Sequence, residues 1–164
     1  NVLKKLSNDY DIILTFPNND LGSIEIIKYI KNSLKKFTKI KIYKSLGNYD
    51  YLSFMSLCLK DSKSLIVMGN SSSGIKETMS FKCPVINIKP RQNGRVKACN
   101  VIDVNPNQVE IISALNKINS NKYFIKKLRN SKNIYGDGKS SERILKIIKN
   151  LKINNNLMIK KHYE

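Results

Sequence analysis

A glycine- and serine-rich segment, Gly69-Asn70-Ser71-Ser72-Ser73-Gly74, follows a short apolar run and has the composition of a phosphate-binding loop. Small residues let backbone N–H groups approach a ligand, and serine hydroxyls add hydrogen-bond donors. The positive end of a following helix dipole favours an anion. The segment matches neither a Walker A loop nor a GxGxxG motif. It therefore predicts either a phosphate or diphosphate site or a serine-rich helix cap, and the segment alone does not decide between them.

Two further segments carry polar side chains suited to the same ligand. Glu77, about one turn after Ser73, either accepts hydrogen bonds from ribose hydroxyls or caps the helix. Arg91 and Arg95 follow another apolar run, and their planar guanidinium groups either bind phosphate oxygens or belong to a solvated loop. Arg95, together with Asn70, is a secondary candidate for contact with phosphate or substrate.

Residue types typical of nucleophilic or metal-dependent catalysis are sparse. Cys58, Cys83 and Cys99 are widely spaced and lack paired metal-ligand spacing, so we expect neither a disulfide scaffold nor a metal site. The single histidine, His162, lies in a polar tail, which excludes a Ser-His or Cys-His pair within the predicted fold. No cluster of acids or histidines offers a general base, and we expect no cofactor and no catalytic residue in this chain.

Short apolar runs alternate with amphipathic segments. The runs predict β-strands over residues 12–16, 39–44, 65–68, 84–88 and 100–104. Apolar residues at helical spacing predict helices over residues 24–34, 51–58, 74–81, 107–117, 122–129 and 140–151. This alternation predicts an α/β fold with a Rossmann-like, doubly wound parallel sheet. Ligands of such sheets bind beyond the carboxyl ends of the strands, where the loop at Asn18 either meets the same ligand or is only a turn.

The 164 residues include 30 basic and 12 acidic side chains, which gives a formal net charge of +18. Such a charge suggests nucleic acid as a partner. However, 26 of the basic residues are lysine, and Lys, Asn and Ile are abundant together, as an AT-rich genome would produce. We therefore expect no nucleic-acid partner, although a non-catalytic basic module that binds nucleotides or nucleic acid stays an alternative. No apolar run approaches the roughly 20 residues that span a bilayer, so no membrane partner is expected.

Six short motifs occur in order along the chain. They are Phe-Pro-Asn-x-Asp-x-Gly-Ser (16–23), Lys-Ser-Leu-Gly (44–47), Gly-Asn-Ser-Ser-Ser-Gly-Ile-x-Glu (69–77), Pro-x-Ile-Asn-Ile (84–88), Arg-Gln-x-Gly-Arg (91–95) and Tyr-Gly-Asp-Gly (135–138). In order and spacing, from about Tyr10 to Leu151, they closely resemble the hydrolysing UDP-N-acetylglucosamine 2-epimerases. Lys89-Pro90 departs from the family's pattern, which has a glycine and a small or acidic residue before Arg-Gln.

The resemblance implies a UDP-binding site. Ser71 and Ser72 would hold the diphosphate, Glu77 the ribose, and Arg91 would lie near the phosphates. The backbone around Leu46 and Gly47 would receive the uracil. The full set of UDP-binding residues that the resemblance implies is Asn18, Leu46, Gly47, Ser71, Ser72, Glu77 and Arg91. It also explains residues 135–138 as a turn of the family rather than a ligand contact.

The resemblance further implies that residues 1–152 form a C-terminal, UDP-binding domain, followed by a polar tail over residues 153–164. In the family, this domain faces an N-terminal domain across a cleft, the GT-B-like arrangement shared with many glycosyltransferases. The acid–base carboxylates lie in that N-terminal domain. The chain begins at Asn1 without an initiator methionine, so we expect it to be a piece of a longer enzyme and inactive by itself.

The family's reaction converts UDP-N-acetylglucosamine to N-acetylmannosamine and UDP. UDP is lost by anti-elimination, which gives 2-acetamidoglucal, and water then adds to that intermediate. We expect a cytoplasmic enzyme of sialic-acid and nucleotide-sugar metabolism that is a homodimer in its full-length form. The enzymatic alternative is a sister epimerase of the legionaminic-acid pathway that acts on another sugar nucleotide, such as a diacetamido or GDP-linked sugar.

Overall fold

The computed structural model describes residues 2–152. The predicted polar tail over residues 153–164, including His162, lies outside the described residues. The chain divides into two compact units, Asn1–Lys132 and Asn133–Glu164, which are described separately below.

The first unit alternates strands and helices, as the sequence predicts. Its strands are β1 (Ile12–Thr15), β2 (Ile40–Tyr43), β3 (Val67–Gly69), β4 (Val85–Ile88) and β5 (Val101–Val104). Its α-helices are α1 (Val2–Leu6), α2 (Ser23–Ser33), α3 (Gly47–Lys60), α4 (Ser73–Lys76), α5 (Gln108–Ser120) and α6 (Lys122–Asn130). Every strand pair is parallel. The α/β class with parallel strands is therefore confirmed, whereas α1 was not predicted.

The strands pair in two groups rather than in one continuous sheet. β1 pairs with β2, and β3, β4 and β5 form a three-stranded sheet in that order. Between β1 and the segment leading into β3 lies a crevice of about 230 Å³, whose lining includes Ile12, Leu14, Leu65 and Ile66. These apolar side chains line the gap, and within the described part of the chain no ladder joins β1 to β3. The two parallel sheets keep the predicted alternation of strands and helices.

The helix predicted up to Phe81 is interrupted. α4 ends at Lys76, and a short 3₁₀ helix covers Thr78–Phe81. The hydroxyl of Thr78 donates to the carbonyl oxygen of Gly74 at 2.7 Å, and side-chain bonding of this kind competes with the regular helical pattern. Lys82, with φ 55°, ends the 3₁₀ helix in the left-handed region.

The core of the first unit surrounds β4. Val85, Ile86 and Asn87 are all buried, as expected for the central strand of a parallel sheet covered on both faces. α4 approaches these strands closely, because a Cβ on Gly74 would lie 3.4 Å from Val85 Cγ1 and 3.7 Å from Val67 Cγ1. These are ordinary van der Waals distances, and they place α4 against the first residues of β3 and β4.

The second unit contains one described helix, α7 (Ser140–Asn150). Residues 135–138 precede it, and Asp137 accepts from both guanidinium nitrogens of Arg143, at 2.9 and 2.6 Å. The Asp137 carboxylate also accepts from the backbone N–H of Lys139 at 3.1 Å. These contacts agree with the interpretation of the segment as a turn that leads into a helix. None of the residues of α7 is buried.

Glu110 in the first turn of α5 supplies a pH-dependent contribution to stability. Its carboxylate accepts from the backbone N–H of Asn105 at 2.7 Å and from the amides of Asn105 and Asn107. These hydrogen bonds lower the pKa of Glu110 from 4.5 to about 2. The folded pKa is depressed, so the stabilisation is present above pH 4.5 and is lost as the pH falls through 2.

Glu110→Gln is expected to lower the thermal midpoint at neutral pH, and the difference from the wild type should shrink between pH 4.5 and 2. The measurement is thermal unfolding followed by circular dichroism across this pH range. Glu25→Gln is the matched control, since Glu25 lies in the first turn of α2 and makes none of these hydrogen bonds. A difference that is constant with pH would contradict the prediction.

Over the described residues, none of the helices has both the length and the apolar character needed to cross a membrane.

Candidate functional site

The predicted site residues lie in loops at the carboxyl ends of the strands. Asn18 is in the loop after β1, and Leu46 directly precedes α3, which follows β2. Ser71 and Ser72 follow β3, and Arg91 follows β4. Loops in these positions form the ligand-binding edge of open α/β folds.

The serine segment, residues 69–74, bonds the start of α4 only weakly through its hydroxyls. Ser72 is the N-cap residue, but it makes no side-chain capping hydrogen bond. Ser71 Oγ instead lies 3.0 Å from Ser73 Oγ and accepts from the Ser73 backbone N–H at 3.4 Å. The serine hydroxyls therefore bond mainly to one another, and the phosphate site stays a prediction.

Tyr51 extends this hydroxyl pair into a relay. The Tyr51 hydroxyl donates to Ser73 Oγ at 3.1 Å. Burial raises the pKa of Tyr51 above its ordinary value, and the hydrogen bond to Ser73 offsets this only in part, so Tyr51 is protonated at neutral pH. Because Ser73 accepts from Tyr51, its own proton can go to Ser71. The Ser71 hydroxyl is then free to donate outward.

Tyr51→Phe is expected to weaken the binding of a phosphate-bearing ligand such as UDP by roughly two- to fivefold. The estimate corresponds to the loss of one neutral hydrogen bond of about 0.5–1 kcal/mol that orients the serine hydroxyls. Isothermal titration calorimetry with UDP measures it. Tyr49→Phe is the matched control, because Tyr49 lies in the same helix and is 83% exposed. Equal losses in both variants would count against the relay.

Two contacts join the loop after β4 to its neighbours. Arg91 Nη2 lies 3.0 Å from Asp20 Oδ2, in the loop after β1. Gln92 Nε2 donates to the carbonyl oxygen of Asn70 at 2.8 Å, in the loop after β3. The loop after β4 therefore contacts both the loop after β1 and the loop after β3, and the three loops form one cluster.

The loop between β2 and α3 adjoins the same cluster. Gly47, with φ 67°, begins α3 one helical turn before Tyr51, whose hydroxyl contacts the serine segment. An open groove of about 460 Å³ lies beside it, with Leu46, Asp50 and Phe54 in its lining. Leu46 is half-buried, and its neighbour Gly47 is exposed.

Three of the predicted site residues have exposed side chains. Glu77 is exposed at the junction of α4 and the 3₁₀ helix, and its charge helps to raise the pKa of Tyr51. Asn18 and Arg95 are exposed. Neither of their side chains has a hydrogen bond or ion pair within the part of the chain that the structure describes. Their roles in ligand binding stay predictions.

The loop after β4 is fixed at its far end by a second polar network. Lys97 Nζ donates to Asp103 Oδ2 at 2.8 Å, and Asn87 Nδ2 donates to Asp103 Oδ1 at 2.7 Å. Burial raises the pKa of Asp103, but the hydrogen bonds from Lys97 and Asn87 outweigh it, so the net pKa is below its ordinary value. Asp103 is therefore a stable carboxylate anchor for this loop. Sequence reasoning did not identify it.

Two of the three cysteines, Cys58 and Cys83, lie in the interior of the first unit. Cys58 and Cys83 are both fully buried, and each thiol points to the carbonyl oxygen of Leu65. The hydrogen bond with Cys58 and burial raise the pKa of the Cys83 thiol, which keeps it protonated and unreactive. Within residues 2–152 the structure shows no group of three or more His, Cys, Asp or Glu residues arranged to hold a metal ion.

Parallel strands with polar loops gathered at their carboxyl ends define a Rossmann-like α/β domain. The sequence profile of the UDP-N-acetylglucosamine 2-epimerase family matches residues 1–149. The chain belongs to this family.

Two similar proteins are both hydrolysing 2-epimerases of diacetamido sugar nucleotides. The chain is 34% identical over 155 residues, 94% of its length, to a hydrolysing UDP-N,N'-diacetylbacillosamine 2-epimerase of Legionella pneumophila. It is 39% identical over 102 residues, 60% of its length, to a hydrolysing GDP/UDP-N,N'-diacetylbacillosamine 2-epimerase of Campylobacter jejuni. The chain spans 38% and 25% of the lengths of these relatives, respectively.

Solved structures share the fold. A UDP-GlcNAc 2-epimerase of Neisseria meningitidis, crystallised with UDP-GlcNAc, matches 90% of the chain with a TM-score of 0.64 at 20% identity. The UDP-GlcNAc 2-epimerase of Methanocaldococcus jannaschii matches the same share with a TM-score of 0.63 at 24% identity. The match covers 39% and 38% of those chains, respectively. The similarity supports the predicted assignment to one part of a GT-B-like epimerase fold.

Proposed function

We propose that this domain binds the nucleoside diphosphate part of a sugar nucleotide. Ser71, Ser72 and Arg91 would contact the diphosphate, and Glu77 the ribose. The backbone at Leu46 and Gly47 would contact the base, with Asn18 at the edge of the site. The observation that carries the proposal is the joining of three candidate loops by the contacts of Arg91 with Asp20 and Gln92 with Asn70. Hydroxyl, guanidinium and backbone donors at one sheet edge suit a phosphate group.

The bound diphosphate would be the leaving group of a hydrolysing 2-epimerase. In that reaction a base removes the proton from C2 of the sugar, and the C1–O bond breaks with its electron pair going to the diphosphate oxygen. Water then adds across the resulting double bond. Negative charge grows on the diphosphate in the first step, where Arg91 and the serine hydroxyls would stabilise it. The proposal assigns no proton-abstracting base to the described residues.

The sugar itself has two candidates. UDP-N-acetylglucosamine, giving N-acetylmannosamine and UDP, is the substrate that the six motifs favour. A UDP-linked diacetamido sugar is the second candidate, favoured by the 34% identity with the Legionella pneumophila enzyme over 94% of the chain. Both candidates leave the same diphosphate, so the proposed roles of Ser71, Ser72 and Arg91 are common to them.

Calorimetric titration of the purified chain with UDP and with GDP tests the proposal. We expect saturable binding of UDP, with weaker or no binding of GDP. A preference for GDP would support a GDP-sugar epimerase instead. Failure of both nucleotides to bind would contradict a preformed half-site. Duplex DNA is the control ligand, because DNA binding that falls steeply with salt and no specific UDP binding would favour a basic binding module.

We also propose that the chain alone does not turn over UDP-N-acetylglucosamine, because the acid–base groups would belong to a further domain of the enzyme. Incubation with the substrate, followed by chromatographic detection of N-acetylmannosamine and UDP, tests this. Product formation that depends on this chain would contradict it. The cytoplasmic location and the homodimer of the full-length enzyme stay predictions.

A further inference from the structure

Gln92 is a buried polar residue beside an exposed arginine. Its side chain is only 3% exposed, although it lies in a loop and follows Arg91 directly. Glutamine is usually a surface residue, and burying its amide is unfavourable unless both ends of the amide are hydrogen-bonded. Here only one end is bonded among the described residues. Nε2 donates to the Asn70 carbonyl at 2.8 Å, and Oε1 is buried without a partner.

The bonded end of the amide joins two loops that carry the candidate phosphate-binding groups. Asn70 directly precedes Ser71, whereas Gln92 directly follows Arg91. The loops emerge from neighbouring strands, since Gly69 at the end of β3 is in register with Asn87 of β4. The other cross-loop contact of this segment, between Arg91 and Asp20, is formed by side chains that are 46% and 59% exposed. The Gln92 bond is thus the buried connection between the two loops.

Packing alone does not account for a glutamine at this position. A methionine of similar length would fill the space without leaving Oε1 unpaired. The amide has one polar atom without a partner among the described residues, so its hydrogen bond to Asn70 is the feature that distinguishes it from an apolar side chain.

We propose that Gln92 is a positioning residue that holds Arg91 and the serine segment at the separation needed to bind one diphosphate together. The proposal rests on the proposed nucleoside diphosphate site. Gln92 would not contact the ligand itself. It would act through Arg91 and Ser71, which keep their own donors directed at the phosphates.

Gln92→Met is the first test, with UDP and uridine as separate ligands. We expect affinity for UDP, measured by calorimetry, to fall roughly fivefold, as for the loss of one neutral hydrogen bond. Affinity for uridine, measured by NMR chemical-shift titration, should change by less than twofold because uridine has no phosphate. The thermal midpoint should move by only about 3 °C, because the variant loses one hydrogen bond and one unsatisfied buried acceptor together.

A double-mutant cycle with Arg91→Ala gives the second readout. In the Arg91→Ala background, Gln92→Met should lower UDP affinity by less than twofold, because the group that it positions is already absent. If Gln92→Met does not fold, Gln92→Leu replaces it, since leucine also lacks the amide donor and buries no charge. Equal losses for UDP and uridine, or fully additive losses in the cycle, would overturn the positioning role. If the wild-type chain binds no UDP, the proposed function itself fails.

Discussion

Arg91→Ala is expected to weaken UDP binding by at least about tenfold, or about 1.4 kcal/mol. The variant removes the charge-assisted donors, each such hydrogen bond being worth about 1.5–3 kcal/mol. It also leaves Asp20 without its partner at 3.0 Å, so an unpaired carboxylate would face the phosphates. Both effects act in the same direction. Calorimetric titration with UDP at fixed ionic strength measures the change, since this site is exposed and screened by salt.

Two further variants separate these contributions. Arg91→Lys keeps the positive charge but loses the planar fork of donors, so its affinity should lie between those of the wild type and Arg91→Ala. Adding Asp20→Asn to Arg91→Ala should restore part of the loss, because it removes the unpaired negative charge. Arg129→Ala is the matched control for net charge, since within residues 2–152 the Arg129 guanidinium makes only long contacts, 3.3 and 3.4 Å, with backbone carbonyls near the end of α3. An equal loss of UDP affinity in this control would show that the effect of Arg91→Ala arises from net charge and not from a specific contact.

The strands and most of the helices could be predicted because their signals are local. The run at residues 12–16 is apolar and ends at Pro17, and β1 indeed covers Ile12–Thr15. The apolar run before Gly69 likewise gives β3. The division into two sheets could not be predicted in this way. Whether β1 pairs with β3 depends on how side chains from distant segments fill the space between them, and that is a property of tertiary packing.

The candidate site was predicted by its motifs, but the residues that hold it together were not. Tyr51 belongs to the predicted apolar stripe of α3, and nothing in its spacing indicates that its hydroxyl reaches Ser73. Gln92 lies in a polar loop between two arginines, where sequence patterns predict exposure. Both residues act across elements that are distant in the chain, so their partners follow only from the folded structure. Arg91 and Ser71 could be predicted without such a contact, because the resemblance of their motifs to the epimerase family places both at the diphosphate.

One buried asparagine, Asn100, lies just before β5 and holds the elements next to the serine segment together. Its side chain is fully buried, and Nδ2 donates to the Cys83 carbonyl and to Thr78 Oγ1, both at 2.8 Å. Thr78 in turn donates to the Gly74 carbonyl at 2.7 Å. Asn100 therefore connects the start of β5 with the start of β4 and with the helical segment that follows the serines.

Asn100→Ala is expected to lower the free energy of unfolding by about 2–4 kcal/mol. Two buried acceptors, the Cys83 carbonyl and the Thr78 hydroxyl, would lose their donor, at about 1–3 kcal/mol each. The removal of Asn100 Oδ1, which is buried without a partner among the described residues, offsets part of this cost. Urea unfolding followed by circular dichroism measures the difference, which corresponds to a decrease in thermal midpoint of roughly 5–15 °C.

Asn116→Ala is the matched control for this variant, because Asn116 lies on an exposed part of α5, and it should change stability by less than about 0.5 kcal/mol.

UDP binding separates the role of Asn100 from that of Arg91. Well below its unfolding midpoint, Asn100→Ala should bind UDP within about twofold of the wild type, because among the described residues the Asn100 side chain is bonded to Thr78 and Cys83 and not to the loops that carry the proposed ligand contacts. A loss of stability below 1 kcal/mol would show that water or local rearrangement satisfies the Cys83 and Thr78 acceptors. The helix after the serine segment would then be held by packing of Ile75 and Met79, which are fully buried, rather than by this network.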